Sequence, residues 1–317
     1  MNNNLRIFLN FFQYVPIVFF AFAMYYFFSD PRVSNDLESY LLLSQRIQDE
    51  DFFTAYNREL IEPIYLIIYW FLSNNLNPIQ VFTIAGLLPL TIKIFPLRKY
   101  LHYGVLAVIF YSLTYLHLFD TNAIRIGAAA CIILYVIMKK NEITNTSIIV
   151  YSLIAVLLHY SAIILFSLIF IKRMYIVIIG IFAVSLIFEY FLTAFQIFEN
   201  FQRYGNASNE PISLTSPLFV FHSIIAICLA LKWSDLTYVQ KKGAILISVG
   251  FLLYVFFLNY PVVSVRMREL GFLGIFPVLF SEKFRFNVFN YFIYSASLLY
   301  VFFLFIEVFF ELISNNI

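Results

Sequence analysis

Long apolar segments constrain this chain more than any other feature. The clear ones cover approximately residues 7–28, 79–95, 103–119, 123–138, 174–192, 217–232, 244–259, 270–281 and 287–312. A helix needs about 20 apolar residues to cross a bilayer, and 62% of this sequence is hydrophobic while only 12% is charged. Such a composition excludes a soluble globule. The sequence predicts one all-α integral membrane domain over residues 1–317, with the first helix retained as an anchor.

Two further apolar stretches decide the topology. Residues 61–72 are short for a span, and residues 147–171 carry His159 near their middle. Basic residues favour the cytoplasmic side, and here they form six clusters: Arg6; Lys93, Arg98 and Lys99; Lys139 and Lys140; Lys172 and Arg173; Lys232, Lys241 and Lys242; Lys283 and Arg285. All six are cytoplasmic if 61–72 stays at the outer leaflet and 147–171 enters the membrane and returns. About nine crossings follow, with about eleven plain crossings as the alternative.

Three segments then face outward, approximately residues 29–60, 193–216 and 259–269. The first contains seven carboxylates and three arginines, a net charge of −4, as expected of an external loop. Within it, Asn35 and Glu38 have the spacing of a capping box, which predicts the start of a helix.

The same topology brings a set of polar residues to the outer side. Its members are Asp36, Tyr40, Glu62, Asn122, Arg125, His159, Ser161, Arg203, Tyr204, Arg266, Arg268 and Glu269. Asp36 and Tyr40 are four residues apart and therefore share a helix face. The arginines favour an anionic ligand, because a guanidinium group binds phosphate oxygens through two parallel hydrogen bonds.

Arg125 is the most informative of these residues because it stands at the start of an apolar helix. A charge at the centre of a membrane helix costs roughly 3 kcal/mol, so it usually faces a polar cavity or pairs with an anion. The small residues at 127–130 allow a neighbouring backbone or a ligand to approach closely.

Each candidate also has a purely structural interpretation. Arg125 could pair with Asp120 at a helix end, and His159 could bond to a nearby carbonyl group. Asp36 and Glu62 could be solvated carboxylates. Of the two carboxylates, Glu62 is the better candidate for burial because an apolar helix follows it. Surface or interface positions are the alternative for the remaining arginines, Arg203, Arg266 and Arg268.

Signatures of other chemistries are missing from the sequence. It contains no glycine-rich phosphate loop, zinc-ligand pair at helical spacing or nucleophile elbow. We therefore expect neither a metal nor another cofactor. The formal charge of +2 also argues against a nucleic-acid partner.

The order of the polar residues resembles the EpsG-like branch of Wzy polysaccharide polymerases. The likeness covers roughly residues 30–270 and is carried mainly by residues 122–129 and 159–162. This chain has Ile126 where the family usually has a polar residue, and Glu269 and Leu270 where a tyrosine is expected.

The resemblance implies a multi-pass enzyme of the bacterial inner membrane. It would join oligosaccharide repeat units carried on undecaprenyl pyrophosphate into O-antigen or capsular polysaccharide on the outer face. A flippase and a chain-length regulator of the same pathway are implied partners.

A mechanism follows as a hypothesis, in which an acceptor hydroxyl attacks the donor's anomeric carbon. Arg125, helped by Arg266 or Arg203, would stabilise the departing pyrophosphate. Asp36, Glu62 or His159 would act as the base, and a carboxylate is favoured. The remaining binding residues are predicted to be Tyr40, Asn122, Ser161 and Tyr204.

Three other functions compete with this interpretation. A lipid-linked oligosaccharide flippase would also show arginines facing a cavity, but the polar residues here lie toward one face and no inverted repeat is visible. An O-antigen ligase is usually built around a larger late external loop than 193–216. A membrane acyltransferase would have a histidine in a cytoplasm-connected tunnel, whereas His159 is predicted to be external.

Overall fold

The computed structural model describes residues 36–59, 61–139, 143–170, 216–258, 260–281 and 291–300, with isolated residues in 18–26 and 302–306. Within these ranges the chain is helical and has no strand, consistent with a polytopic all-α protein. Two described helices, Pro78–Tyr100 and Tyr238–Phe256, are long and apolar enough to cross a membrane. The number of crossings remains a prediction.

Several predicted features lie outside the described residues. They are the span at 174–192, nearly all of the external loop at 193–216, and parts of the spans at 7–28 and 287–312.

The chain forms two compact units. Unit 1 comprises Met1–Tyr135, Ile154–Tyr160 and Leu304–Ile317, and unit 2 comprises Val136–Leu153 and Ser161–Phe303. The described helices in chain order are α1 (Leu37–Ile47), α2 (Phe52–Glu59), α3 (Pro63–Ser73), α4 (Pro78–Tyr100), α5 (Gly104–Thr114), a π-helical segment (Leu116–Asn122), α6 (Ile124–Met138), α7 (Asn145–Leu158), a 3₁₀ helix (Tyr160–Phe166), α8 (Ser167–Phe170), α9 (Pro217–Leu231), a 3₁₀ turn (Trp233–Asp235), α10 (Tyr238–Phe256), α11 (Pro261–Phe272) and α12 (Ile275–Phe280).

Local sequence signals account for several helix starts. Asn77 caps α4: its side chain accepts a hydrogen bond from the backbone N–H of Gln80 at 2.9 Å, and the Gln80 side chain accepts one from the backbone N–H of Asn77 at 3.2 Å. Thr237 forms the same box at the start of α10. Proline occupies the first turn of four helices, at Pro63, Pro78, Pro217 and Pro261.

The predicted helix in the acidic segment is present as α1. Asp36 is its N-cap residue and makes no side-chain capping bond, while Asn35 of the predicted capping box lies outside the described residues. The backbone N–H of Tyr40 donates to the carbonyl of Asp36 at 3.1 Å, one helical turn earlier. Asp36 and Tyr40 therefore follow one another along the helix, as predicted.

An aromatic cluster holds α1 against α3 and α4 in unit 1. Tyr40, Tyr65, Tyr69 and Phe82 are all buried in it. The rings of Tyr65 and Tyr69 stack with centroids 5.3 Å apart. Because aromatic side chains bury large areas in fixed geometries, this cluster gives the first residues of α3 a rigid support.

Close glycine contacts join α10 to α11 and to Gly274, the residue before α12, in unit 2. A Cβ added to Gly250 would lie 2.5 Å from the Cα of Gly271, and one added to Gly243 would lie 2.3 Å from the carbonyl oxygen of Gly274. Such backbone contact requires small residues and is common between membrane helices.

Two lysines of the predicted cytoplasmic clusters are buried. Helix α4 continues to Tyr100, so Lys93 lies inside it, fully buried, and forms an ion pair with Asp120. Lys242 is buried near the start of α10, with its ammonium group 4.6 Å from the centroid of the Tyr238 ring. Lys93 therefore lies within a helix and not in a loop, and its charge is paired with that of Asp120.

Candidate active site

Glu62, Arg125 and His159 form one charged cluster in unit 1. The Arg125 Nη1 atom lies 2.8 Å from Glu62 Oε2, and the His159 Nδ1 atom lies 2.8 Å from Glu62 Oε1. Each carboxylate oxygen therefore has its own cationic or polar partner. The Glu62 side chain is only 4% exposed, whereas those of Arg125 and His159 are 27% and 15% exposed. The carboxylate is thus enclosed, and Arg125 is the more exposed of its two partners, since both ring nitrogens of His159 are buried.

All three residues stand at helix ends. Glu62 precedes Pro63, which begins α3. Arg125 is the second residue of α6, which Ala123 joins to the π-helical segment. His159 follows the last residue of α7, where the backbone changes to a 3₁₀ helix, and its N–H donates to the carbonyl of Ala155 at 2.9 Å. Glu62 makes no capping bond to the backbone of α3, so its carboxylate oxygens are available to Arg125 and His159.

Tyr40 adds a hydroxyl group to the cluster. Its side chain is buried and hydrogen-bonds to Arg125, and the charge of Asp36 acts on the same hydroxyl. The hydroxyl of Tyr69 donates to the carbonyl of Tyr40 at 3.3 Å, which fixes that turn of α1. Arg125 is therefore held between a carboxylate and a phenol.

The protonation of Glu62 follows from these contacts. Burial raises the pKa of its carboxyl group, but contact with His159 and the positive charge of Arg125 outweigh burial and lower the pKa from 4.5 to about 2. Glu62 is therefore an anion throughout the physiological pH range.

The cluster combines two chemical capacities. The planar guanidinium group of Arg125 suits the oxygens of a phosphate or diphosphate. A neutral imidazole that faces a carboxylate through Nδ1 carries its proton there, which leaves Nε2 as the acceptor atom. The same site can therefore bind an anionic leaving group through Arg125 and accept a proton at Nε2 of His159.

The other predicted site residues lie away from this cluster or fall outside the part of the chain that the structure describes. Ser161 belongs to unit 2, in the 3₁₀ helix. Asn122 ends the π-helical segment, and its side chain is outside the described part. Arg203 and Tyr204 fall within the undescribed stretch 171–215.

Arg266 and Arg268 have different surroundings within α11. Arg266 Nη1 lies 2.9 Å from Glu269 Oε2, and its side chain is 24% exposed. Arg268 is buried, with its guanidinium carbon 5.3 Å from the centroid of the Tyr254 ring. Of this pair, Arg266 is the more accessible to a ligand.

A second buried carboxylate was not recognised as such in the sequence. Asp120 is fully buried and bonds both to Lys93 and to the hydroxyl of Tyr111. The alternative in which Arg125 pairs with Asp120 is therefore wrong, because Lys93 takes that place. The available signal was a lysine, Lys93, inside the apolar segment 79–95 and an aspartate, Asp120, between the apolar segments 103–119 and 123–138.

A sequence profile of the EpsG family matches residues 12–317, a range that includes every member of this cluster. The chain belongs to the EpsG family. The resemblance seen in the sequence is thereby confirmed. No curated protein and no solved structure matches the chain. As a member of the EpsG family, it is a polysaccharide polymerase-type membrane protein with glycosyltransferase-like activity.

Proposed function

We propose that this EpsG-family protein polymerises oligosaccharide repeat units carried on undecaprenyl pyrophosphate, at the outer face of the bacterial cytoplasmic membrane. The observation that carries the proposal is the pairing of a partly exposed arginine and a histidine on one buried carboxylate. The product is an O-antigen, capsular or related exopolysaccharide.

The reaction makes one bond and breaks one bond. A hydroxyl oxygen of the acceptor unit bonds to the anomeric carbon of the donor, and the bond between that carbon and the diphosphate oxygen breaks. The leaving undecaprenyl pyrophosphate takes the electron pair and gains negative charge. Arg125 is positioned to bind this charge, and preorganised donors at developing charge are worth a large part of catalysis.

His159 is the better base, in contrast to the carboxylate favoured from the sequence. A base works best when its pKa is near the working pH, and the pKa of Glu62 is held at about 2. Glu62 instead orients Arg125 and His159, while Asp36 acts on Tyr40 from the start of α1. The acceptor's proton would pass to Nε2 of His159.

The remaining predicted residues complete the proposal as substrate contacts. Arg266 in unit 2 is a second candidate for a phosphate group. Asn122, Ser161, Arg203 and Tyr204 are candidates for sugar or phosphate contacts. A flippase that supplies the units and a regulator of chain length are the proposed partners.

Polymerisation in detergent tests this function against transport. Purified protein is mixed with lipid-linked repeat units, and glycan length and released undecaprenyl pyrophosphate are measured. We expect longer lipid-linked glycans and one undecaprenyl pyrophosphate per new linkage. A flippase needs two membrane faces and would produce neither, and a ligase would elongate nothing without its own separate acceptor. Absence of both products with folded protein would contradict the proposal.

A further inference from the structure

We propose that the buried network of Lys93, Asp120 and Tyr111 positions Arg125, and that these are positioning residues of the polymerisation reaction. The inference rests on the proposed function and adds residues that do not touch the substrate.

The network is closed on itself. Lys93 Nζ donates to Asp120 Oδ1, and the Tyr111 hydroxyl donates to Asp120 Oδ2 at 2.7 Å. The Lys93 ammonium group also lies 5.2 Å from the centroid of the Tyr111 ring. Lys93 and Asp120 are fully buried and Tyr111 is buried with them, so α4 and α5 together hold both oxygens of one carboxylate in the π-helical segment.

One non-helical residue, Ala123 (φ −87°, ψ 63°), joins that segment to the helix that carries Arg125. The N–H of Ala123 donates to the carbonyl of Leu118 at 3.0 Å, a π-type bond, and the N–H of Gly127 donates to the carbonyl of Ala123 at 3.0 Å. Ala123 therefore hydrogen-bonds to both segments, through its N–H to the π-helical turn and through its carbonyl group to α6. Because π-helical turns are rare and often occur at functional sites, this one needs a structural reason, and the bonds to Asp120 supply it.

Close packing transmits the position of Asp120 to α6. A Cβ added to Gly127 would lie 2.3 Å from the carbonyl oxygen of Phe119 and 3.2 Å from Asp120 Oδ1. A Cβ added to Gly86 in α4 would lie 2.5 Å from the carbonyl oxygen of Asp120. The first turns of α6 therefore rest on the π-helical backbone, which itself rests on α4.

Stability alone does not account for the network. Replacing a buried ion pair with well-packed apolar side chains is often neutral or stabilising, because desolvation of the two charges offsets their attraction. A directional role does account for it: bonds to fixed atoms set the rotation of α6, and thereby the direction in which Arg125 meets Glu62. A displacement on the order of 1 Å at a catalytic group can cost about 100-fold in rate.

Coupling to Arg125 is the property that tests positioning. The Asp120→Asn substitution is made in the wild type and in an Arg125→Lys background, and kcat and KM are measured in detergent. We expect kcat to fall on the order of 10- to 100-fold in the wild type with little change in KM. In the Arg125→Lys background, whose reactive geometry is already lost, we expect a fall of less than about twofold.

Two further variants guard the interpretation. Lys232→Met removes an exposed ion pair, in which Lys232 Nζ lies 3.6 Å from Asp235 Oδ2. This variant should leave kcat unchanged. Tyr111→Phe removes only one hydroxyl group, and we expect about a threefold fall in kcat that again disappears in the Arg125→Lys background. If Asp120→Asn does not fold, the Tyr111→Phe variant tests the positioning role in its place.

Each result has a definite meaning. The positioning role would be overturned if kcat fell equally in both backgrounds, or if it were unchanged in folded variants of the network. In either case, polymerisation by the wild type would still uphold the proposed function. Lack of polymer from the wild type would instead refute the proposed function itself.

Discussion

Two buried carboxylates in unit 1 have the same number of partners and opposite access to the outside. Glu62 contacts Arg125 and His159, whose side chains are 27% and 15% exposed. Asp120 contacts Lys93, which is fully buried, and the hydroxyl of Tyr111. At Glu62 the charged group of Arg125 is accessible to a ligand. At Asp120 both charged groups of the ion pair are fully buried.

The difference also lies in the choice of cation. Arg125 presents several N–H groups in a plane and can bind Glu62 and a phosphate group at the same time, whereas a lysine is a compact point charge. At Asp120 the cation is therefore a lysine, which suits one enclosed contact. At Glu62 the cation is an arginine, which suits two contacts at once. This contrast predicts that substitutions at the open site act on the substrate directly, whereas those at the closed site act through the fold and the position of Arg125.

The largest effect should come from exchanging one cation for the other. Arg125→Lys keeps the charge beside Glu62 but loses the planar pair of donors, so we expect kcat for polymerisation to fall on the order of 100- to 1,000-fold. Assays on purified protein with lipid-linked repeat units measure it. Near-normal polymer would contradict a bidentate role.

Breaking the open pair should also destabilise the protein. Glu62→Gln leaves Arg125 without its carboxylate. Because the Arg125 side chain is 27% exposed, we expect a loss smaller than the value of about 3–5 kcal/mol that follows when one partner of a fully buried pair is removed. Unfolding in a denaturing detergent, followed by circular dichroism, measures the loss.

The closed pair provides a matched comparison for this loss. The double substitution Lys93→Met/Asp120→Leu removes both charges together and should cost far less stability than Asp120→Leu alone. A double variant no more stable than the single would contradict this account of the pair.

Acid should weaken the open site in a defined pH range. The folded-state pKa of Glu62 is about 2, below the ordinary 4.5, so its stabilisation is complete above pH 4.5 and disappears as the pH falls toward 2. The contribution is about 3 kcal/mol. Melting curves at pH 6 and pH 3 should therefore differ more for the wild type than for Glu62→Gln. Equal differences would show that other groups control the acid response.

The smallest effect should come from an ion pair whose arginine is largely exposed to solvent. Arg46 Nη2 lies 3.4 Å from Glu59 Oε2, and the Arg46 side chain is 57% exposed. Arg46→Ala should change stability by less than about 1 kcal/mol and leave polymer length unaltered. A shortened glycan in this variant would extend the functional surface to α2.

Sequence patterns predicted the helices near the site more accurately than the pairing within it. The apolar segment predicted at 123–138 matches α6 at Ile124–Met138. Pro63 marks the start of α3, and the burial of Glu62 follows from the apolar helix behind it. These features are local, so composition and spacing are enough to reveal them.

The partners of the charges depend on tertiary packing instead. Arg125 and Glu62 are 63 residues apart, and Lys93 and Asp120 are 27 apart. Asp120 is much nearer to Arg125 in the chain, yet the π-helical turn and Lys93 direct it elsewhere. No local signal distinguishes a lysine that ends a membrane helix from one that forms a buried pair within it.

Surface glycan length tests the central claim most directly. A host that lacks its own polymerase receives the cognate repeat unit and either the wild-type chain or Arg125→Ala, with the membrane content of both proteins matched. The account predicts a ladder of repeats for the wild type and a single repeat for Arg125→Ala. Ladders of equal length from both would contradict the claim that the Glu62–Arg125–His159 cluster is the reactive centre.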